Sequence, residues 1–485
     1  MEAVEKFLLP IVEEINANLS NYILLFLLVG VGLFFTIRTK FVQVRCFGEG
    51  MKKVFGGIFA KKDNGKKGGL SSFQALATAI AAQVGTGNIV GACGAILIGG
   101  PGAIFWMWVI AFFGMATIYA EAVLAQKTKV VDADGNIQGG PVYYIREAFK
   151  GKFGKILAGF FAVAIILALG CMGAMVQSNA ISSSVSTATN NAVPAWVIGI
   201  VLAAICAIIF IGGIKRIASV AEKIVPIMAV GYLLVGLIIL VINFAKIPAT
   251  FGMIFKCAFD TSAIIGGGIG AIFTAMTQGA KRGLFSNEAG MGSTPHAHAQ
   301  AEVKDPHEQG VVAMTGVFID TFVVLTMTAL VVISTFYVGD NSLAIGGIIN
   351  EDIAALAGMD KNNLMQSAVG TVFGSATVGN IIVAVCLTFF AFTTIISWNF
   401  FGKQNVQYLF GKKATVVYSI IAIGFIFLGS CLHNSLVWEL TDMFNNLMVI
   451  PNVIALIALS GVVVGCVNAA KARKKNKNAD IEKAE

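Results

Sequence analysis

The run AQVGTGN at residues 82–88 interrupts an apolar stretch, residues 71–98, that is otherwise long enough to cross a membrane as one helix. A second run, TAMTQG at residues 274–279, interrupts residues 263–292 in the same way. In a bilayer every backbone N–H and C=O group needs a partner, so a helix opens only where protein or a wet cavity surrounds it. Paired broken helices at matching positions of two halves are typical of the binding sites of secondary transporters.

The composition indicates an integral membrane protein. Of the 485 residues, 57% are apolar and only 12% are charged, whereas a soluble domain carries about 25% charged residues. A surface this poor in charge cannot face water on all sides. The 54 glycines suit the close packing of helices in lipid. The predicted fold class is therefore an all-α polytopic membrane protein.

Eleven stretches are apolar enough to span the membrane, for which a helix needs about 20 residues. Residues 41–60 mix basic and apolar side chains and predict an amphipathic helix at the membrane interface. Residues 343–357 predict a second short helix that does not span. The predicted spans cover approximately residues 21–37, 71–98, 102–126, 155–189, 194–212, 219–243, 262–292, 310–337, 367–400, 414–430 and 443–469.

Basic residues in the short loops predict the orientation of the chain, because cytoplasmic loops are enriched in lysine and arginine. The loop at residues 38–70 is strongly basic, and further basic residues include Lys281, Arg282 and the tail after residue 467. The loops between the other ends of the spans are uncharged or acidic. With eleven spans, the N-terminus is predicted to lie outside and the C-terminus in the cytoplasm.

The two interrupted spans are the second and the seventh, and this separation of five predicts an inverted repeat. An odd number of spans reverses the orientation of the second copy, so spans 2–6 and 7–11 are expected to pair with a site at their interface. The predicted units are residues 1–70 with the extra helix and the basic segment, 71–244 and 245–470 as the two repeats, and 471–485 as a basic tail.

The glycines at positions 85 and 87 permit an open backbone at the first interruption. Freed N–H groups at the start of the following half-helix suit a carboxylate. Freed carbonyl groups on the preceding half-helix suit an ammonium group or a dehydrated Na⁺. If only one such run were present, its glycines could serve merely the close packing of two helices. The presence of a second run favours an opened backbone.

Hydroxyl groups in the ninth span predict a cation site. Thr393 and Thr394 lie there with Ser397 one turn further on, and hydroxyl and carbonyl oxygens are hard ligands for a small cation. The alternative is that these hydroxyl groups bond only to their own helix backbone.

Carboxylates inside apolar spans are costly and indicate function. Glu121 either has such a function or accepts hydrogen bonds from backbone donors that the opened seventh span releases. Asp320 is a candidate for a second cation site. Gln177 and Asn179 in the fourth span are candidates for lining a cavity.

Bulky residues beside the interruptions predict a small pocket. Phe273 and Met276 in the seventh span and Trp398 in the ninth are the candidates for its walls, with an interfacial position as the alternative for Trp398.

Several other functions are disfavoured. No Walker A, GxSxG or HExxH motif is present. The eight cysteines lack CxxC spacing and are expected to be packing residues. His296 and His298 are expected in a solvated loop rather than a metal site. The positive charge lies in loops and the tail, which disfavours a nucleic-acid partner, and no obligate protein partner is evident beside membrane lipid.

Four blocks in order resemble the alanine/glycine:cation symporter family: VGTGNI at 84–89, GGPGAIFWMW at 99–108, GGPVYY at 139–144 and SNEAGMG at 286–292. The resemblance covers roughly residues 20–470. It implies a LeuT-like fold with 5+5 inverted repeats and one extra N-terminal transmembrane helix. It also implies Na⁺-coupled uptake of alanine or glycine across the inner (plasma) membrane of a prokaryote.

The resemblance also implies roles for residues. The first broken helix would bind the substrate carboxylate, and the second would supply contacts to the amine and pocket walls. The coupling ion is Na⁺, and no other cofactor is implied. The substrate-binding set is Gln83, Gly85, Thr86, Gly87, Asn88, Gln177, Phe273, Thr274, Met276, Thr277, Gln278, Gly279 and Trp398, and the sodium-binding set is Ala81, Val84, Thr393, Thr394 and Ser397.

Two alternatives to a Na⁺-coupled symporter stay open. A channel would need polar rings through the whole membrane, whereas polarity here concentrates at mid-span. A proton-coupled transporter is the closer alternative, because Asp320 or Glu121 could titrate.

Overall fold

The computed structural model describes residues 2–59, 69–259, 269–339, 358–432 and 435–482, and most of these residues are helical. Two short strands, β1 (Val130–Val131) and β2 (Ile137–Gln138), pair antiparallel in a loop. The helices are α1 (Glu2–Asn18), α2 (Leu25–Arg38), α3 (Val42–Arg45), α4 (Phe47–Phe59), α5 (Ser72–Gln83), α6 (Gly87–Gly99), α7 (Gly102–Thr128), α8 (Pro141–Ala148), α9 (Gly151–Ala188), α10 (Ala195–Ile211), α11 (Gly213–Ile242), α12 (Ile247–Phe259), α13 (Ile269–Asn287), α14 (Pro295–Ala299), α15 (Pro306–Phe336), α16 (Leu364–Phe373), α17 (Ala376–Phe410), α18 (Ala414–Cys431), α19 (Ser435–Ala458) and α20 (Ser460–Glu482).

The described helices confirm a polytopic all-α membrane protein. Seven of them are long and apolar enough to cross a membrane, or eight if the bent pair α5 and α6 forms one span. The helices α2, α10 and α16 are shorter and apolar. The count of eleven spans therefore stays a prediction.

The outer helices present apolar side chains to lipid. On α11, Ile227, Leu234 and Val241 are 70%, 54% and 66% exposed, and their spacing of seven residues aligns them along one stripe. The opposite face of the same helix buries Tyr232 and Ile239. A stripe of this length would be an aggregation surface in water, so it faces hydrocarbon.

The first predicted opening is confirmed. A capping box between Ser71 and Gln74 starts α5, and the helix ends at Gln83. Val84 leaves the helical conformation with a ψ of 85°, and α6 continues at an angle of 46° to α5.

The second opening lies elsewhere than predicted. Helix α13 is continuous through residues 274–279, so the prediction of an opened backbone there is wrong, and the chain opens instead at residues 288–294. Gly279 permits close packing, since a Cβ at that position would lie 2.6 Å from the Cβ of Trp106 on α7. At the true opening Glu288, Gly290 and Gly292 have φ values of 57°, 94° and 78°, a conformation that an α-helix cannot contain.

The two broken spans run in opposite directions through the bundle. Leu70, which precedes α5, donates its N–H to the carbonyl of Gln300 at 2.9 Å, and Glu302 donates to the carbonyl of Leu70 at 2.9 Å. The start of the first broken span therefore lies beside the end of the second. This antiparallel relation is the one that an inverted repeat requires.

Two predicted loop groups are buried. Lys281 and Arg282 lie within α13, where their nitrogens are 2.8 and 3.3 Å from Oδ2 of Asp442 on α19. Placing them in a cytoplasmic loop was wrong, because the buried carboxylate partner keeps them inside the bundle. His296 and His298 on α14 are also buried, so the prediction of a solvated loop was wrong there too.

Some predicted boundaries shift. The ninth predicted span divides at residues 374–375 into α16 and α17, and the eleventh divides at Leu459 into α19 and α20. The interfacial segment predicted at residues 41–60 corresponds to α3 and α4. The short helix predicted at residues 343–357 lies outside the described residues. Among the described residues, none of the eight cysteines forms a disulfide.

Candidate substrate and cation site

The two opened segments meet in the middle of the bundle. The side-chain amide of Gln83, at the end of α5, donates to the carbonyl of Asn287 at the end of α13 over 2.7 Å. A Cβ at Gly87 would lie only 2.9 Å from the Cα of Ser286. Glycine at this position thus allows the two backbones to touch, and Gln83 joins them directly.

Side-chain oxygens occupy the amides of the first opening. The N–H of Gly85 donates to Oδ1 of Asn88 at 3.1 Å, and the N–H of Thr86 donates to Oε1 of Gln177 on α9 at 3.2 Å. Both acceptors are neutral amide oxygens. A carboxylate is a stronger acceptor for the same N–H groups, because hydrogen bonds to an ionised partner are about twice as strong.

Thr394 and Thr393 face different neighbours. The hydroxyl of Thr394 donates to the carbonyl of Ala81 at 2.9 Å, and a Cβ at Gly85 would lie 2.4 Å from this hydroxyl oxygen. The hydroxyl of Thr393 lies 3.6 Å from the sulfur of Met228 on α11 and bonds back to the carbonyl of Phe390. Thr394 therefore lies at the opening, and Thr393 turns away from it.

Two buried hydroxyl groups near this opening lack a partner among the described residues. They are Oγ1 of Thr86, within the opening, and Oγ of Ser397, one turn beyond Thr394 on α17. A buried hydroxyl without a hydrogen bond costs free energy, about 1–3 kcal/mol. Such groups are therefore available to an ion or substrate.

Asp320 forms a polar cluster on the other side of α6. Its carboxylate accepts hydrogen bonds from Nδ2 of Asn88 at 2.7 Å, Oγ of Ser286 at 3.0 Å and Oγ1 of Thr321 at 2.8 Å. The residue is fully buried and lies in a π-helical stretch, Phe318–Leu325. π-helical turns are frequent at functional sites because they offset the backbone ladder.

Glu121 hydrogen-bonds the backbone of the second opening, which is one of the two roles that the sequence left open for that carboxylate. Its two oxygens accept the N–H groups of Gly290 at 3.3 Å and Gly292 at 3.0 Å. Asn452 on α19 donates to Glu121 at 2.6 Å and to the carbonyl of Gly290 at 2.9 Å, and Tyr144 hydrogen-bonds Asn452. The backbone groups that the missing helix turn leaves unpaired are thereby satisfied.

Glu288 connects the second opening to α17. Its carboxylate accepts Nε1 of Trp398 at 2.5 Å and the hydroxyl of Ser293 at 2.5 Å. A Cβ at Gly173 on α9 would lie 2.6 Å from the Trp398 ring, so this tryptophan fills the space between three elements. Trp398 is therefore buried inside the bundle, and its role as a wall of the pocket stays a prediction.

A row of aromatic rings separates the openings from a cavity. The ring of Phe285 lies 5.9 Å from Trp398 and 5.8 Å from Trp438. Beyond Trp438 a cavity of about 270 Å³ is lined by residues of α6 together with Arg282 and Lys361. The Nζ of Lys361 lies 4.4 Å from the Trp438 ring centroid.

Phe273 and Met276 do not line the openings. They pack against Leu25, Ile110 and Ala280, on the side of α13 that faces α2 and α7. The prediction that they cap the pocket assumed an opened backbone in their own helix, which the structure does not have, and these contacts do not support it. Thr274, Thr277, Gln278 and Gly279 lie in the same unbroken stretch of α13.

Asn179 contacts α18 and lines a small cavity beside Trp438 rather than the first opening. Its amide donates to the carbonyl groups of Gly429 and Leu432 at the end of α18. Its neighbour two residues earlier, Gln177, does reach the first opening.

Sequence reasoning missed three residues of the site: Phe285, Ser286 and Glu288. Phe285 directly precedes the block SNEAGMG, and Ser286 and Glu288 lie within it. The glycine spacing in this block was the signal for the second opening.

The fold and this site define a secondary transporter with a LeuT-like fold. A solved structure of MhsT in complex with L-phenylalanine has the same fold, with a TM-score of 0.58, 13% identity and coverage of 81% of this chain and 90% of that one. The model of the sodium:alanine symporter family matches residues 5–484. The chain belongs to this family.

Relatives cover nearly the whole chain. The sodium/alanine symporter AgcS of Methanococcus maripaludis is 42% identical over 472 residues, which are 97% of this chain and 99% of that protein. The putative sodium/proton-dependent alanine carrier YrbD of Bacillus subtilis is 39% identical over 453 residues, 93% and 90% of the two chains. Both are transporters, so the prediction of a non-enzymatic protein is confirmed, and Na⁺ is the coupling ion of the family.

Proposed function

We propose that this protein imports alanine and glycine together with Na⁺ by alternating access. One observation carries the proposal: the hydroxyl of Thr394 and the opened backbone at Gly85 lie in contact. Ligands for a cation and donors for a carboxylate thus share one opening. Since the two ligands would occupy adjoining positions, binding of either one would strengthen binding of the other.

The amides of Gly85 and Thr86 are proposed to receive the substrate carboxylate, replacing the oxygens of Asn88 and Gln177. Phe285 and Trp398 are proposed as the pocket walls in place of Phe273 and Met276. Two aromatic rings across the site leave room for a small side chain, which favours alanine and glycine over larger amino acids.

Na⁺ is proposed to bind at Thr394 with the carbonyls of Ala81 and Val84 and the unpartnered hydroxyl of Ser397. Asp320 with Asn88 is proposed as a second cation site, since the carboxylate is buried and surrounded by oxygen and amide groups. The same carboxylate supports proton coupling as the alternative.

The protein is proposed to lie in the inner (plasma) membrane, with its N-terminus outside and its C-terminus in the cytoplasm. The basic segment at residues 38–70 and the basic tail support this orientation, which does not depend on Lys281 and Arg282. The cavity beside Lys361 would then open to the outside. The repeat boundaries 71–244 and 245–470 remain part of this proposal.

The test is uptake of [14C]alanine into proteoliposomes. An inward Na⁺ gradient is expected to drive accumulation, and unlabelled glycine is expected to compete. Accumulation that persists without Na⁺ but follows an inward proton gradient would establish the proton-coupled alternative. Downhill flux that no gradient concentrates would contradict symport altogether.

A further inference from the structure

Three potential metal ligands lie together far from the openings, at the end of the bundle that carries the basic tail. They are Cys46, between α3 and α4, Glu49 on α4 and His307 at the start of α15. Their ligand atoms all lie within 4.8 Å of one another. The helices are held together here by a further contact, between Lys53 and Glu308 at 3.3 Å.

The imidazole of His307 is oriented for metal binding. Its Nδ1 is 2.6 Å from the hydroxyl of Tyr119 on α7, and its Nε2 faces Oε2 of Glu49 at 3.3 Å. Histidines that bind metals commonly use one ring nitrogen for the ion and the other for a hydrogen bond that fixes the ring. Tyr119 is fully buried and supplies that second bond.

The ligand cluster also has space in front of it. A cavity of about 170 Å³ adjoins Cys46 and His307, and residues of α20 close its far side. A water molecule occupies about 30 Å³ in the liquid. A fourth, exchangeable ligand therefore fits.

We propose that Cys46, Glu49 and His307 bind Zn²⁺, with water as the fourth ligand. Thiolate sulfur, imidazole nitrogen and carboxylate oxygen are the three ligand types of protein zinc sites. Bond lengths of about 2.0–2.3 Å place the ligands of a tetrahedral site about 3.3–3.8 Å apart, so a movement of about 1 Å closes the cluster around the ion. Thiolate and carboxylate together balance the charge of Zn²⁺.

Competing positive charges set the affinity. Lys474 on α20 forms an ion pair with Glu49, and Arg45 and Lys471 line the same cavity. The side chain of Lys474 is 57% exposed, so it can leave Glu49 for solvent.

The consequence is a bridge between α4 and α15. Helix α15 continues to Asp320, and α4 belongs to the segment predicted to lie at the membrane interface. A bound zinc would tie the interfacial helix to the helix that carries a site carboxylate.

The test is Co²⁺ titration of the purified, reduced, full-length protein after chelator treatment. Cobalt bound to a thiolate gives a charge-transfer absorption in the near ultraviolet, and Zn²⁺ is expected to displace it with a stoichiometry of one. Cys46→Ser and His307→Gln are expected to abolish the band, and Tyr119→Phe to weaken binding by about tenfold. Lys474→Ala is expected to strengthen binding.

The control is Cys431→Ser, which removes the exposed cysteine and is expected to leave the band unchanged. Size-exclusion chromatography of each variant verifies the fold. Absence of the band in the unmodified protein would overturn the proposal. A band that persists in both Cys46→Ser and His307→Gln would equally overturn it.

Discussion

The hydroxyl oxygen of Thr394 lies 2.9 Å from the carbonyl oxygen of Ala81, which connects α17 to the last turn of α5. The same hydroxyl also donates to the carbonyl of Phe390 in its own helix at 3.0 Å. A hydroxyl has one proton, so only one of these bonds forms at a time. When the hydroxyl bonds to Phe390, the carbonyl of Ala81 and the lone pairs of the hydroxyl oxygen can coordinate a cation.

Thr394→Val is expected to weaken Na⁺ binding by about tenfold, or about 1.4 kcal/mol, because the oxygen that would coordinate the ion is lost while the shape of the side chain is kept. Alanine affinity should fall at low Na⁺ and recover at high Na⁺, since the two ligands are linked. The measurement is alanine binding as a function of Na⁺ concentration. Thr393→Val is the matched control, and a similar loss in both variants would contradict the assignment.

Gly85→Ala is expected to abolish alanine binding. The new Cβ would lie 2.4 Å from the Thr394 hydroxyl oxygen, and at Gly91, on the same broken span, the nearest atom would be 3.8 Å away. Gly91→Ala is therefore the control and should retain near-normal affinity. Equilibrium binding of labelled alanine in detergent distinguishes them. Equal affinities in the two variants would show that the substrate does not approach Gly85.

Phe285→Ala is expected to admit larger aliphatic amino acids. Each methylene buried in the enlarged site contributes about 0.8 kcal/mol, so inhibition of alanine uptake by valine and leucine should improve. Met276→Ala removes a bulky side chain from the other face of α13 and should not change selectivity. If only the Met276 variant accepts leucine, the pocket lies on that face instead.

Glu121→Ala is expected to destabilise the protein by about 2–6 kcal/mol, since two buried backbone N–H groups lose their acceptor at about 1–3 kcal/mol each. The midpoint of thermal unfolding in detergent should fall well below that of the unmodified protein. Glu147→Ala changes an exposed carboxylate on α8 and should leave the midpoint unchanged. An unaltered midpoint in the Glu121 variant would mean that water replaces the carboxylate.

The first opening was predictable because its sequence contains the glycines that its backbone conformation and close helix contacts need. Gly85 and Gly87 adjoin polar residues, and both glycines are needed for close contacts with other helices. Thr394 was predictable in the same way, as a hydroxyl in a span expected to cross the opening. Which of Thr393 and Thr394 faces the opening depends on the rotation of α17 about its own axis. Only the packing of α17 against α11 and α5 determines that rotation.

The second opening was misplaced because polar residues do not by themselves open a helix. Thr277 and Gln278 stay helical, with Gly279 serving as a contact to α7. Positive φ angles at Gly290 and Gly292 open the chain instead, and Glu121 supplies the acceptor from 169 and 171 residues away. A local sequence pattern cannot indicate hydrogen-bond partners that lie so far apart in the chain.

Charge counting failed at Lys281 and Arg282 for a related reason. Basic residues indicate a loop only if no carboxylate is available inside the bundle. Asp442, 160 residues further along, is that carboxylate, and it allows two cations to remain within α13.

Glu121 accepts hydrogen bonds from the N–H groups of Gly290 and Gly292, so the second opening is already ordered when the protein has folded. Fixing a residue's backbone costs about 1–2 kcal/mol, and here that cost falls on folding, because a side chain of the protein holds the segment in place. A substrate that binds meets a segment that is already ordered, and the segment stays ordered when the substrate leaves. Binding then does not include the cost of ordering this segment, so the hydrogen bonds to Glu121 preorganise the second opening and favour binding.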